Sequence, residues 1–410
     1  MASPFQYVVS GAEKRGKKLL KTVYELAKKE RTSNGKLGLE PDFTTGEAAK
    51  ILGISKSALI KMEGEGTLDF EVRRRSSGSV SNRYFNYNEI NKIRSIRGDL
   101  PRKPKGAKTK RIIFSNLKGG VGKSTHALHY AHFLASLGYR VLLVDGDPQG
   151  TQTGAFSIMA DIDLNEGDDL TDALMKDPNL IRKSIRKTYW DNIDLIPARI
   201  ELEFCDWIMT ADFHKESEAN TRLGPMPLRL NKALEVVEDE YDVIVIDTPP
   251  SLGVLSLNTI AAASHMVLPC SPTMYDISSV AKYFEIISSL LKLYSEFINP
   301  QHVSLLLTKI KPNLTQSSKS IIESLGSTYG DILLESTMGD SEALNSTASN
   351  VRSIYETRES TEKYKRGRSM MDAVNLELLG ILKEMWANDL GTTNTKESTK
   401  GLSGFVKGGN

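Results

Sequence analysis

The chain has only two cysteines in 410 residues, Cys205 and Cys270, far apart in sequence. Two such thiols offer neither a disulfide framework nor a metal-ligand spacing, so a reducing cytoplasm is expected. Long apolar runs are also missing, and none approaches the roughly 18–20 residues of a membrane span. The start, Met1-Ala2-Ser3-Pro4-Phe5, lacks the charged-then-apolar layout of a secretory signal. No membrane partner is expected. There is no internal repeat. Tryptophan occurs three times, at Trp190, Trp207 and Trp386, and all three read as packing residues. Net charge is nearly absent too, at +2.

That small net charge hides an asymmetry. Residues 1–110 carry 24 Lys and Arg against 12 Asp and Glu, whereas the rest carries 29 against 39. A basic first quarter on an acidic body is the layout of a nucleic-acid arm. A solvated surface with a few basic helices would carry the same charges. With 40% hydrophobic and 25% charged residues the composition is that of a folded globular chain. The length calls for two or three domains.

The pattern divides the chain into five stretches. Residues 1–39 hold an amphipathic helix over 11–30, with Leu19, Leu20, Val23, Leu26 and Ala27 on one face, and a polar linker. Residues 40–96 form a small domain, and 97–110 a basic linker broken by Pro and Gly. Over 111–388 short apolar runs alternate with helical patterns. The clearest strands are Val141–Val144, Ile193–Ile196, Val243–Ile246, Met266–Pro269 and Val303–Leu307. This alternation predicts an α/β fold, its mostly parallel sheet covered by helices on both faces. The last helix is predicted over Met370–Trp386. Residues 389–410 form a tail too poor in large apolar side chains to fold.

Three segments of the large domain carry chemistry. Lys118-Gly-Gly-Val-Gly-Lys-Ser-Thr125 follows the apolar run Arg111–Ser115 and opens an apolar-periodic segment. Strand, glycine-rich turn and helix are the context of a phosphate-binding loop. Gly119, Gly120 and Gly122, with Val121, let the backbone wrap a polyphosphate. Lys123 would meet the β- and γ-phosphates, and Ser124, followed by Thr125, would ligate Mg²⁺. The standard loop has glycine five places before Gly122, where this chain has Leu117, so only the deviant form with the extra Lys118 fits. Next, Val141–Val144 ends in Asp145-Gly-Asp147-Pro-Gln-Gly150. Asp147 could orient or deprotonate an attacking water, and either aspartate could hold Mg²⁺ through water. A plain Asp-Gly turn would read the same in isolation. Lastly, Val243–Ile246 ends in Asp247-Thr-Pro-Pro-Ser-Leu-Gly253, which matches a strand whose carboxylate joins the metal shell. All three stand at strand ends, where open α/β sheets bind ligands.

The first quarter holds a second pattern. Phe43 to Lys61 fits helix-turn-helix: Ala48, Ala49 and Leu52 pack, Gly53 turns, Ser55 caps the second helix and Leu59 packs back. Lys56, Ser57 and Lys61 would face a major groove. Arg73, Arg74, Arg75 and Arg83 then read as a basic β-wing for phosphates. A bare helical hairpin is the alternative. His126, His129 and His132, three apart on one helix, read as packing rather than metal ligands.

Jointly, the deviant loop at 118–125, the segment 145–150 and Asp247–Gly253 resemble the ParA family of partition ATPases. The N-terminal extension resembles its larger, helix-turn-helix-bearing class, of SopA type. The resemblance implies a P-loop NTPase fold with ATP and Mg²⁺ as cofactors. It gives Lys118 the role of crossing to a second subunit's phosphates, so that ATP closes a homodimer. It gives Asp147 a part in hydrolysis, Asp145 a place at the nucleotide, and Lys123, Ser124 and Asp247 their P-loop roles. Thr308 and Lys309 resemble the segment that meets the adenine. The arm would bind the operator of its own operon. The basic cluster Lys363, Lys365, Arg366 and Arg368, just before the last helix, would help a dimer grip nonspecific nucleoid DNA, although a solvated charged loop reads the same. The implied setting is a bacterial cytoplasm, with a ParB/SopB-like centromere-binding protein as partner. Gly146 departs from the family pattern, where a bulkier residue is usual, and should loosen local packing.

Four functions compete on this pattern: a DNA-segregation ATPase, a nucleotide-regulated repressor without a motor role, a membrane-bound regulator of MinD type and an electron-transfer ATPase. The third needs an amphipathic membrane helix, for which Lys400–Asn410 is a poor match. The fourth needs cysteines placed for a cluster, which Cys205 and Cys270 are not.

Overall fold

The computed structural model describes residues 43–77, 80–212, 223–251, 253–295, 298, 300–344, 352–357 and 361–392, with scattered positions between 10 and 37. Ten strands organise it: β1 Phe43–Thr44, β2 Arg73–Ser77, β3 Val80–Phe85, β4 Lys110–Phe114, β5 Val141–Asp145, β6 Arg186–Lys187, β7 Ile193–Ile196, β8 Val243–Asp247, β9 His265–Cys270 and β10 His302–Leu307. A further two-residue ladder pairs Thr32–Ser33 with Lys36–Leu37.

The large sheet runs β10-β9-β4-β8-β5-β7-β6, parallel throughout except for the edge strand β6. Its central strands are apolar on both sides because both sides are covered. Ile112 and Phe114 point into one apolar layer and Ile113 into the other, and β5 and β8 alternate in the same way. On the first face the helix Lys123–Leu137 packs with the long helix Glu362–Asp389 through Met371, Val374, Leu378, Leu382 and Trp386. That last helix begins eight residues earlier than its pattern predicts, because Thr361 caps it and Tyr364 is buried in its first turn. The basic cluster 363–368 therefore lies on the helix and not in a loop before it.

The N-terminal arm is a small body of its own. Thr44 and Glu47 form a reciprocal cap on the helix Thr45–Ile51. Gly53, at φ 65°, makes the turn, and the Ser55 hydroxyl accepts the Ala58 N–H at 3.1 Å to start the helix Lys56–Gly64. Ala48, Ala49, Leu52 and Leu59 join Val72, Phe85, Ile90 and Ile93 in one apolar cluster. β2 and β3 form an antiparallel wing, with β1 on the other edge of β3. Of the expected helix over 11–30, the described positions from Ser10 to Glu25 are helical, and Leu19 is exposed. Leu20, Val23, Leu26 and Ala27 lie outside the described residues, as does the tail from residue 393.

The helix Tyr87–Arg97 fastens this arm to the large domain. Tyr87 stacks on Trp190 with ring centroids 5.5 Å apart, and Trp190 stacks on His132. Arg94 is buried, and its guanidinium donates to the carbonyls of Ser136 (2.9 Å) and Leu137 (2.8 Å) and to Asn91 Oδ1. A cation on the last carbonyls of a helix is where the macrodipole favours it. The linker is tied down as well: Arg102 reaches the Gly138 carbonyl at 2.6 Å, and the Lys103 N–H donates to buried Asp242. Trp207 is the exception to the packing expectation. It is 59% exposed beside exposed Phe204, whereas Trp190 and Trp386 are buried. Arg94→Met, which keeps bulk but removes the donors, should cost about 2–4 kcal/mol by stranding buried carbonyls. An unchanged denaturant midpoint would show that those carbonyls do not need it.

Candidate nucleotide site

The sheet order makes the site. β4, β8 and β5 are adjacent, and Asp247 is in register with Phe114 on one side and Asp145 on the other. The glycine loop leaves β4 between these ends. Gly122, at φ 101°, is the N-cap of the helix Lys123–Leu137 and gives no side-chain cap, so the first backbone N–H groups of that helix stay available to an anion. Lys123 is buried, and its ammonium donates to the Lys118 carbonyl at 3.3 Å. Burial lowers its pKa, against the pull of Asp247 and Asp147. Lys118 is half-exposed and pairs with the buried carboxylate of Asp276. Gly119 and Gly120 are exposed at the mouth, Val121 is buried beneath it, and Ser124 and Thr125 are half-buried in the first helical turn.

Three carboxylates crowd the floor. Asp247 Oδ2 accepts from Gln152 Nε2 at 2.8 Å, and its carboxyl also meets the Ser124 hydroxyl. Asp145 Oδ2 accepts the Thr153 N–H (2.8 Å) and hydroxyl (2.7 Å). Asp147 Oδ1 accepts the Gln149 N–H at 2.9 Å. Burial, with Asp247 alongside, pushes the Asp145 carboxyl up to about 8. Burial pushes Asp247 up to about 6, and Asp147 upward as well. Asp145 Oδ1, Asp247 Oδ1 and Gln152 Oε1 are buried without a hydrogen-bond partner. Unpaired buried oxygens beside Ser124 fit a hydrated cation that keeps few protein ligands.

Other expectations meet the structure residue by residue. Thr308 is buried and its hydroxyl donates to the Val121 carbonyl at 3.0 Å, so it touches the loop from β10. Lys309 is exposed with φ 55°, a left-handed backbone that costs a non-glycine residue of order 1–3 kcal/mol. Gly146 does not loosen the packing. A Cβ there would lie 2.6 Å from the Asp247 carbonyl, which accepts the Gly146 N–H, so only glycine lets β5 and β8 close at this point. His126 and His129 hydrogen-bond the carbonyls of Gly122 and Thr125 inside the core. No group of three His, Cys, Asp or Glu side chains able to hold a metal occurs among the described residues. Sequence reasoning missed Gln152, Asn116 and Asp276. Gln152 stood in plain sight two places past Gly150 and Asn116 two places before Lys118, whereas Asp276 meets the loop only through folding.

In the arm, Lys56, Ser57 and Lys61 are exposed on the second helix, with Ser55 at its cap. Arg74 and Arg83 both bind Glu63 of that helix, and Arg73 binds Glu89, so the wing arginines hold the wing in place. Arg75 lies over the Tyr84 ring. In the C-terminal cluster Lys363 and Lys365 pair with Glu342 and Glu362, and Arg366 is exposed. Arg368 corrects the expectation of a DNA contact. Its guanidinium turns inward onto Asp372 at 3.0 Å, reaches Tyr87 Oη and lies 4.1 Å from the Tyr355 ring centroid.

Comparison with known proteins agrees with this geometry. A family model described as an AAA domain matches residues 109–300. The sporulation initiation inhibitor protein Soj of Bacillus subtilis (strain 168) is 33% identical over 204 residues, 50% of this chain and 74% of that protein. The chain belongs to the ParA family of partition ATPases. Among its relatives, protein SopA of Escherichia coli (strain K12) is 28% identical over 354 residues, 83% of this chain and 88% of SopA, which takes in part of the arm as well as the ATPase body. A solved structure described as a partition protein is 21% identical, covers 84% of this chain and 95% of its own, and has a TM-score of 0.60. It shares the fold. No helix among the described residues is long and apolar enough to cross a membrane.

The raised carboxyls set a pH test. In the folded protein burial holds the proton on Asp145 up to about 8, while an unfolded aspartate releases it near 3.9. Between those values the folded state binds more protons, so this group's contribution to stability falls as pH rises. Asp145→Asn should therefore raise the melting temperature more at pH 8 than at pH 5. An equal shift at both would contradict the buried, proton-holding carboxyl.

Proposed function

We propose that this ParA-family chain binds ATP with Mg²⁺ at the β4-β8-β5 edge, hydrolyses it, and uses the ATP-bound homodimer on DNA to segregate a replicon. The observation that carries the reading is the convergence of the glycine loop, Lys123 and three buried carboxylates, two of which, Asp145 and Asp247, keep an unpaired oxygen. The loop and the start of the helix Lys123–Leu137 would cradle phosphates through N–H groups. Lys123, drawn from its carbonyl partner, would meet the β- and γ-phosphates. Ser124, Asp247 and Asp147 would hold Mg²⁺, which supplies charge neutralisation to the phosphates when bound. Asp147, whose carboxyl burial pushes upward, would orient the attacking water and take its proton. Lys118 would pass to the partner subunit's phosphates, and Thr308 and Lys309 would border the base.

Two DNA contacts belong to the same reading. Lys56, Ser57 and Lys61 on the second helix of the arm would read an operator in the major groove. Arg366, with Lys363 and Lys365, would meet phosphates without regard to sequence. A ParB-type centromere-binding protein is the proposed partner, one that stimulates hydrolysis and release. The alternative, a repressor that uses nucleotide only as a signal, gains support from Arg94, which joins the arm to the loop-bearing helix.

ATP turnover separates the two. With DNA and the ParB-type product of a neighbouring gene, turnover should rise several-fold, and Asp147→Ala should lower it by about a hundredfold or more while leaving dimers on DNA. Turnover that ignores both additions would favour the repressor.

A further inference from the structure

Both lysines of the loop are occupied by acceptors in their own chain. The Lys123 ammonium rests on the Lys118 carbonyl, and the Lys118 ammonium rests on Asp276. Asp276 is not an ordinary surface partner. It stands in the first turn of the helix Met274–Tyr294, with its carboxylate 4% exposed. Oδ2 takes the Ser271 hydroxyl, Oδ1 faces Lys118, and the Asp276 N–H donates to the Thr273 hydroxyl that caps the helix. The backbone is drawn to the same corner. The Lys118 N–H donates to Asn116 Oδ1 at 3.0 Å, and Asn116 Nδ2 donates to the Pro269 carbonyl of β9 at 2.8 Å.

A buried carboxylate with the hydroxyls of Ser271 and Thr273 and one ammonium has its charge balanced only while the lysine stays. The lysine is the mobile member, since its side chain is 43% exposed on an open glycine loop. We propose that Asp276 is a positioning residue that retains the Lys118 ammonium within its own subunit, so that closing the dimer requires the triphosphate to outcompete it. The inference rests on the proposed passage of Lys118 to the partner subunit. It adds a threshold: an internal ion pair opposes closure of the nucleotide sandwich, and nucleotide must break two lysine contacts in sequence. Lys123 leaves the Lys118 carbonyl for phosphate, which frees that segment of the loop, and Lys118 then leaves Asp276.

The test measures the concentration of ATPγS that half-converts the full-length protein to dimers, by sedimentation. Asp276→Asn keeps the shape and removes the charge, and should lower that concentration roughly three- to tenfold, as expected for loss of one half-exposed, charge-assisted contact. Ser271→Ala strips the carboxylate of one of its two hydroxyl donors and leaves it a stronger acceptor for the lysine, so it should raise the concentration roughly twofold. Opposite shifts are not produced by simple loss of structure. Monomer affinity for ADP should stay within about twofold of the parent in both. Lys118→Ala, alone or with Asp276→Asn, should give no ATPγS dimers. If Lys118→Ala dimerises normally, the crossing role of Lys118 fails and the retention with it. If Lys118→Ala blocks dimers but Asp276→Asn leaves the concentration unchanged or raises it, the crossing role stands and the retention is wrong. Should Asp276→Asn not fold, Ser271→Ala decides alone, and an unchanged or lowered concentration overturns the proposal.

Discussion

Carboxylates packed side by side in a dry sheet edge govern this molecule. Asp145 and Asp247 are in-register neighbours on adjacent parallel strands, and both are fully buried. Like charges so placed cannot both ionise cheaply without a cation. The chain answers with Thr153, Gln152 and Ser124 on some of the oxygens and leaves others open. Such an arrangement costs the fold stability and suits a protein that meets a cation and an anion together. Local destabilisation at a binding site, offset by a well-packed core elsewhere, is the usual bargain of functional sites.

The remainder of the structure serves to keep that edge in place. Two apolar layers clamp the sheet. Asn116, Thr308 and Gly146 stitch the loop and strand ends together at hydrogen-bond distance. The helix that begins at Lys123 ends at carbonyls held by Arg94 of the arm. One helix thus has the glycine loop at its start and the N-terminal arm at its end.

Much of this was legible in the residues. The glycine loop, Asp145, Asp147 and Asp247 stand at strand ends because apolar runs, turn residues and carboxylates follow one another in a fixed order. The two capped helices of the arm were legible for the same reason: their caps and small packing residues are local. What escaped was non-local or contextual. Arg368 reads as one of four basic residues, and only the fold turns it onto Asp372 and Tyr355. Arg74 and Arg83 read as phosphate contacts, and only the fold brings Glu63 between them. Trp207 sits in a helical pattern like any core tryptophan and is nevertheless exposed. Gly146 reads as slack and is a tight crossing of two strands. Asp276, more than 150 residues from Lys118, carries no local signal at all.

The central claim is that the carboxylate edge awaits a cation together with a polyphosphate. Equilibrium binding of ATPγS to the full chain and to Asp247→Asn, each with Mg²⁺ and with chelator, tests it directly. The account predicts a reversal: with Mg²⁺ the parent chain binds more tightly than Asp247→Asn, and with chelator it binds more weakly, because the bare carboxylate repels the phosphates. Equal affinity of the two proteins in both conditions, or no effect of Mg²⁺ on the parent, would contradict it.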